Sequence, residues 1–376
     1  MRIKSGDFFR YLPQKSKMQH YQFVPTDLCS IMQYINVDDQ LLAMLIHAHR
    51  VLGILEGISR YIPHMDAFEE MIVFNEACNS CSIDNIIVHY EEALLAHENN
   101  SGLRSALNCY NAAKGYDSQA LTDELLCNFH RSVMSGVTDG PVGNFRTEPF
   151  LMHPNYSTST EEYNPPIPEF IPSLLEDLNA FAEMIGKMDV LVKAALVYYQ
   201  FETIHPFESG NGRVGRLLPI SVLINEHILS RPVLALSDFL YKYNDECLKY
   251  FRGVQHSGEY MEWIKFFVQG VITSSENSIN QIRQAHDLRC KNKQRLDLFV
   301  KNVKSLPIVY DFIEKKPVFS IKEVAKQTGI SYNTAAKAVD ILVELKILIK
   351  INEQTRYKVF CYKEYLDIFK YTNLHC

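Results

Sequence analysis

The sequence predicts a mainly α-helical chain with a short β-hairpin in its middle and a helix-and-hairpin unit at its C-terminal end. Three observations carry that expectation. Apolar residues recur at spacings of three and four through most of the 376 positions, as on the buried face of a helix. Gly and Pro clusters fall between those stretches. Runs rich in β-branched and aromatic residues are short and few. At about 150 residues per domain the length suggests two or three domains.

Four parts follow along the chain. Residues 1–110 form an N-terminal helical region. In it Leu41-Leu42, Leu45-Ile46 and His49 trace one helix, punctuated by Gly53, Gly57 and Pro63. Further helices are expected at Ala67–Ala77 and His89–His97, before the polar break at 98–102. Residues 111–275 form a helical core. Helices are expected at Leu103–Lys114 and Leu121–Met134, then a loop at Gly136–Pro141 and a hairpin over 145–164, where Tyr163-Asn164-Pro165-Pro166 cannot be helical. Helices resume at 169–186, 190–203, 212–228, 239–255 and 259–273. Residues 276–304 are polar and read as an exposed connecting helix.

Residues 305–376 change character. Leu306–Glu314 is periodic, and Pro317-Val318-Phe319 breaks it. Ser320 and Glu323 make an S-x-x-E capping pattern for a helix that ends at Gly329. Ser331 starts another helix to about Leu345, and two strand-like runs, Lys346–Ile351 and Arg356–Tyr362, close the unit. Helix, helix, turn, helix, hairpin is the order of a winged helix-turn-helix. This segment has eleven Lys or Arg against eight Asp or Glu, a net +3, which leaves −9 for the rest. In a DNA reader Tyr332, Asn333, Thr334 and Lys337 would lead the helix into the major groove, and the wing Lys350–Lys358 would meet phosphates. A protein-interaction or dimerisation unit explains the same pattern equally well.

Composition sets limits. Apolar residues are 47% and charged residues 22% of the chain, as in ordinary globular proteins. With 38 Lys and Arg against 44 Asp and Glu the net charge is −6, which argues against a general nucleic-acid coat. No run of about 18 apolar residues marks a membrane span, and the polar start Met1–Asp7 is unlike a secretory signal. The nine scattered cysteines fit a reducing cytoplasm. Cys78 and Cys81 form a single C-x-x-C, open to a metal reading or to two half-buried helical thiols.

The chemistry concentrates at His205-Pro206-Phe207-Glu208-Ser209-Gly210-Asn211-Gly212-Arg213-Val214-Gly215-Arg216. His205 follows a helix and is the residue type suited to proton abstraction near neutral pH. Gly210 and Gly212 let backbone N–H groups converge on an anion at a helix start. Arg213 and Arg216 are three apart and so share a helix face. Two guanidiniums beside an anion nest suit a di- or triphosphate. A base next to such a cradle suggests activation of a hydroxyl for attack on phosphorus.

This stretch resembles the signature of Fic-domain proteins, H-P-F-x-(D/E)-G-N-G-R-x-x-R. The match covers His205, Pro206, Phe207, Gly210, Asn211, Gly212, Arg213 and Arg216, and extends to Gly143-x-Phe145-Arg146, Tyr163-x-Pro165-Pro166 and Trp263-Ile264-x-Phe266-Phe267. The resemblance implies AMP transfer from ATP, with Mg²⁺, to a Ser, Thr or Tyr hydroxyl of a protein. It makes His205 the base and Phe207 the loop anchor. It assigns the phosphates to the stretch Gly210, Asn211, Gly212, Arg213, Val214, Gly215 and Arg216, with Arg216 at the γ end. The 145–164 hairpin would be the flap that grips the protein substrate by strand addition.

The sequence departs from the family pattern in three places. Ser209 stands where an acid normally helps to hold Mg²⁺, and its neutral hydroxyl is a weaker ligand. Ser80-Cys81-Ser82-Ile83-Asp84-Asn85 resembles the family's inhibitory helix pattern (S/T)-x-x-x-E-(G/N) with Asp84 for Glu. Its carboxylate would pair with Arg216 and obstruct the γ-phosphate, loosely or through water because Asp is one methylene shorter; a helix cap or surface acid is the plainer reading. Leu52–Gly57 also ends in Glu56-Gly57 but lacks Ser or Thr four residues before Glu56. Finally, a Tyr pair that flanks adenine in relatives falls at Cys247-Leu248, with Tyr243 and Tyr250 nearby.

The expectation is therefore a cytoplasmic, mainly α protein adenylyltransferase held in check by its N-terminal region. The competing expectation is a DNA-binding transcriptional regulator with a weakly active Fic-like core. The partners allowed are a protein substrate, DNA at the C-terminal unit and a second copy of the chain; no membrane is expected.

Overall fold

A computed structural model describes residues 3–11, 20–88, 94, 101–115, 120–151, 164–300, 303–352 and 358–369. The protein is mainly α-helical, as expected. The N-terminus departs from the helical expectation: β1 (Gly6–Tyr11) pairs antiparallel with β2 (His20–Pro25), Phe8 opposite Phe23. Alternation places Gln22 and Val24 on one face and Phe23 on the other, a period-two pattern that the helical template does not detect.

After the short α1 (Leu28–Ile31) come two long helices. In α2 (Asp39–Tyr61) the Asp38 carboxylate accepts from Leu41 N at 2.7 Å, and Leu41, Leu45, Ala48, Leu52 and Leu55 face inward. By length and composition alone α2 is apolar enough to cross a membrane. Here it lies along a later helix, tied by Lys265 to Asp38 at 2.7 Å and by His49 to Asp189 at 2.8 Å. Then α3 (Met65–Ile83) runs almost wholly buried. The expected helix at His89–His97 lies, apart from Leu94, outside the described residues.

The centre is built by α4 (Ser101–Lys114), α5 (Asp123–Met134), α6 (Ile171–Ala182) and α7 (Val190–Ile204). Apolar residues surround α7 with no polar stripe, so it forms the core axis. Residues 145–151 contain no strand, and 152–163 lie outside the described residues, which leaves the expected hairpin there undescribed. The helix expected at 212–228 is two: α8 (Asn211–Gly215) and α9 (Leu218–Asn225), with Pro219 in the first turn of α9. Likewise 239–255 resolves into α10 (Leu236–Lys242) and α11 (Asn244–Ser257).

The helices expected at 259–273 and 276–304 are one, α12 (Tyr260–Val300), about 60 Å long at 1.5 Å per residue. Its second half is not simply exposed. Ile279, Ile282, Ala285, Leu288, Asn292 and Leu296 make a buried stripe at three- and four-residue spacing, hidden in the sequence by intervening polar residues.

The C-terminal segment folds as α13 (Leu306–Lys315), β3 (Val318–Ser320), α14 (Ile321–Thr328), α15 (Tyr332–Glu344), β4 (Ile349–Lys350), β5 (Val359–Cys361) and α16 (Lys363–Phe369). The sheet order is β3-β5-β4, antiparallel throughout. The expected capping box is formed by Ser320 and Glu323, and Gly329 ends α14 at φ 72°.

Two apolar cores result. One runs from Leu28 to Ile272 and includes Phe74, Ala77, Cys78 and Cys81 of α3. The other joins the C-terminal segment to the second half of α12 and to Met65, Phe68, Met71 and Ile72 of the same α3. The two ends of α3 thus belong to different cores.

Candidate active site

The loop between α7 and α8 is shaped by residues that hold its backbone. Asp189 caps α7, and His205 ends it in the left-handed region at φ 50°. That conformation is uncommon for a residue with a side chain, and it turns the chain sharply out of the helix. Arg146, 3% exposed, grips the turn: its Nε donates to His205 O at 2.8 Å and its Nη2 to Pro166 O at 2.5 Å. Phe207 is fully buried, as expected of an anchor. The His130 ring stacks on it at 3.9 Å between centroids.

Asn211 and Phe207 clasp each other. Phe207 N donates to Asn211 Oδ1 at 2.9 Å, and Asn211 Nδ2 donates to Phe207 O at 2.8 Å. The amide of Asn211, expected to hold phosphate, is 1% exposed and closes the loop here. His130 fixes the other side: Gly143 N donates to Nδ1 at 2.8 Å, so Nε2 carries the proton and donates to Ser209 O at 3.0 Å. Burial holds this imidazole below its ordinary pKa, in keeping with that neutral form.

Two glycines bring the backbone close to neighbouring side chains. Gly210 sits at φ 75°, and a Cβ there would meet Met134 Sδ at 2.5 Å. At Gly212 a Cβ would fall 2.8 Å from Arg216 Nη1 and 3.0 Å from Asp84 Oδ1. The backbone at 212 therefore comes within contact of an anion and a guanidinium together, as a cradle for negative oxygens must.

That anion is the carboxylate of Asp84. Its Oδ1 accepts from Arg216 Nη2 at 2.7 Å and its Oδ2 from Arg213 Nε at 2.9 Å. Arg216 also donates from Nε to Ser80 Oγ at 2.8 Å and from Nη2 to Ser80 O at 2.7 Å. Arg213 reaches Ser105 Oγ on α4. Contrary to the loose pair expected of the shorter Asp, the contact is direct. The reason is local: α3 stops at Ile83, and the turn that follows, with Asn85 at φ 57°, carries Asp84 up to the arginines. One carboxylate is thus shared between two guanidiniums. Glu56, the weaker inhibitory candidate, is engaged elsewhere, with Arg60 and with Ser230 N at 2.8 Å.

His205 is half-buried, its Nδ1 is enclosed, and the Glu202 backbone lies in hydrogen-bonding reach of the ring. Burial first, and then Arg146, push its pKa down to about 4. Glu202, one turn earlier on α7, is pushed up to about 7 by burial, against the pull of Arg216. Sequence reasoning missed His130, Glu202 and Ser105. Arg146 was seen only as part of a motif, and its clamp was not anticipated. Each of these works through the fold rather than through spacing along the chain.

The metal expectation fits poorly. The Ser209 side chain is exposed, and its carbonyl is taken by His130. The Glu208 carboxylate lies beside Gly140. Among the described residues no group of three His, Cys, Asp or Glu side chains could hold a metal. At the expected adenine flank, Cys247 is buried, Leu248 is exposed, and the Tyr250 ring lies tilted against Phe266 at 5.0 Å between centroids.

Comparison with known proteins agrees with this geometry. Residues 120–223 match the Fic/DOC family, and residues 42–115 match the Fic/DOC family N-terminal description. The chain carries a Fic/DOC family domain. A probable protein adenylyltransferase of Aquifex aeolicus is 35% identical over 69 residues, 18% of this chain and 22% of that protein. The protein adenylyltransferase Fic of Nematostella vectensis is 28% identical over 138 residues, 35% of this chain and 30% of that protein. The protein adenylyltransferase fic-1 of Caenorhabditis elegans is 29% identical over 114 residues, 30% of this chain and 20% of that protein. The chain thus spans less than a third of the length of these relatives. A Fic family protein from Desulfovibrio desulfuricans G20 superposes with a TM-score of 0.54 at 15% identity, over 87% of this chain and 97% of that one. Fic-1 of C. elegans superposes with a TM-score of 0.50 at 16% identity, over 66% and 75%. At these identities the superpositions establish a shared fold. The Fic match ends at residue 223, inside α9, so the Fic domain proper includes the whole 205–216 loop, while the Asp84 turn lies in the N-terminal match.

Proposed function

We propose that this chain is a protein adenylyltransferase whose nucleotide site is held shut by Asp84. The observation that carries the reading is the pairing of one carboxylate with both Arg213 and Arg216 against the Gly212 backbone. A site that grips a carboxylate this way is built for anionic oxygens, and ATP offers three phosphates of them. Relatives named protein adenylyltransferase support the same chemistry at the level of the family.

In the proposed reaction ATP displaces the Asp84 carboxylate. A protein hydroxyl then gives its proton to the imidazole of His205, and its oxygen bonds to the α-phosphorus. The bond from that phosphorus to the bridging oxygen breaks, and pyrophosphate leaves. An imidazole with a pKa near 4 is neutral and able to accept, but it is a weak base. Bound phosphates supply negative charge beside it and raise that pKa toward the useful range. Arg213 and Arg216 orient the phosphate chain. Ser209 does not replace the missing acid, so no step is assigned to a metal. The target chain would dock at 145–164, and the eight free cysteines among the described residues suit a reducing cytoplasm.

Ser209 also favours a second reading, in which a weakly reactive core serves a DNA-binding regulator. Incubation with ATP labelled on the α-phosphate separates the two. Self-labelling should rise in Asp84→Gly and vanish in Asp84→Gly/His205→Ala. Labelling absent from every variant, with ATP still bound, would support the regulator instead.

A further inference from the structure

We propose that the C-terminal unit, residues 305–376, is a winged helix-turn-helix that binds duplex DNA through the leading face of α15. The proposal does not depend on the reaction assigned to the Fic core. Its first support is the arrangement of elements. α14 and α15 are joined by only three residues, Gly329-Ile330-Ser331, with Gly329 in the left-handed region. That is the turn length and chemistry of a helix-turn-helix. β5 pairs with both β3 and β4, the small antiparallel sheet from which a wing would extend.

The second support is what α15 hides and what it leaves free. Ala335, Ala338, Val339 and Leu342 are buried, against α13 and α14. Ser331, Tyr332, Asn333, Thr334 and Lys337 are all exposed at its leading end. The side chains include an amide, a hydroxyl and an ammonium, groups that read adenine, either base and guanine respectively in the major groove. The unit docks on the rest of the protein through α13 and α16, which pack on α3 and on α12.

Charge decides the kind of partner. Lys322 and Lys326 lie one turn apart on α14, Lys337 is on α15, Lys346 is in the turn after it, and Lys350 and Lys358 lie at the root of the wing. All six are exposed, and among the described residues none forms an ion pair. By contrast Lys316 pairs with Glu323, and Lys363 lies within 3.5 Å of Asp367. Asp340 and Glu344 are the exposed acids of α15, and both sit in its last two turns, where a recognition helix leaves the groove. A net +3 unit on a chain of net charge −6 holds its unpaired cations where a phosphate backbone would run.

The test uses the full chain and a fluorescent duplex of about 30 base pairs and random sequence, followed by anisotropy from about 50 to about 200 mM salt. Binding in the micromolar range at the lowest salt is expected, weakening steeply as salt rises. Lys337→Glu/Lys350→Glu should lose ~10-fold or more in affinity and flatten the salt dependence, with an unchanged melting temperature. Lys187→Glu, an exposed change far along the sequence in the Fic core, should bind as the parent does. Among duplexes selected from a random pool, Asn333→Ala should relax the preference at one base position. Absence of binding at the lowest salt, or equal losses in the Lys187 and Lys337/Lys350 variants, overturns the proposal. So would tighter binding to the single strand than to the duplex. Self-association through this face without DNA binding would overturn it in favour of a protein contact.

Discussion

Asp84 Oδ1 lies 2.7 Å from Arg216 Nη2, and the two residues are 132 apart in the chain. Arg216 is 5% exposed at its side chain and Asp84 24%, so the pair is shielded on one side and wetted on the other. Asp84 is the only acid paired with either guanidinium among the described residues, and Ser80 and Ser105 complete their hydrogen bonds. Removing it leaves two buried cations facing each other.

Asp84→Ala should therefore lower stability in the absence of nucleotide, by about 2–4 kcal/mol, because breaking a buried pair strands its partners while partial exposure softens the loss. ATP should restore much of it by supplying the missing anion. Thermal melts of parent and variant with and without ATP check this. A variant whose melting temperature does not respond to ATP more strongly than the parent's would refute the displacement scheme.

Ser80→Ala removes one hydrogen bond to Arg216 Nε but leaves the Asp84 pair in place. A loss of about 1–2 kcal/mol is expected for a buried bond to a charged group. Self-labelling should rise less than in Asp84→Gly. The comparison of the two variants under identical ATP measures how much of the restraint belongs to the carboxylate.

Ser209→Asp places a hard anionic oxygen at the exposed position beside the loop. Labelling in this variant should become dependent on divalent cation and drop on chelation, whereas the parent should respond weakly to either. Titration with Mg²⁺ under single-turnover conditions reads the difference.

The pH behaviour of His205 follows from its environment. Its folded pKa, about 4, lies below the ordinary 6.5, so between those values the unfolded chain binds a proton that the folded chain does not. His205 therefore contributes no penalty above pH 6.5 and destabilises progressively as pH falls toward 4. Imidazole NMR of the nucleotide-free protein should show one resonance that stays neutral down to pH 5 and disappears in His205→Ala. A His205 that titrates near 6.5 would contradict the enclosed Nδ1.

Much of this was legible in the sequence because it is local. The twelve residues 205–216 carry the family signature by type and spacing, and Ser320 with Glu323 announces a capping box. The pairing of Asp84 with Arg216 was expected only through family resemblance, and its reach to Arg213 was not foreseen. His130 and the clamping role of Arg146 stayed hidden because a buried histidine or arginine has no periodic signature; these roles exist only once α5 and residues 143–146 fold against the loop. The β1–β2 pair was lost in a region whose neighbours are strongly helical. The stripe on the second half of α12 was masked because polar residues outnumber the apolar ones that repeat on one side.

Phe68 sits at one end of α3 in the core shared with the C-terminal unit, with the Tyr365 ring at 6.4 Å, and Asp84 follows the other end. The separation is sixteen residues, about 24 Å along a rigid rod. Such a rod cannot tilt or slide at one end alone. One continuous helix therefore joins the grip of the C-terminal unit to the acid that pairs with Arg213 and Arg216.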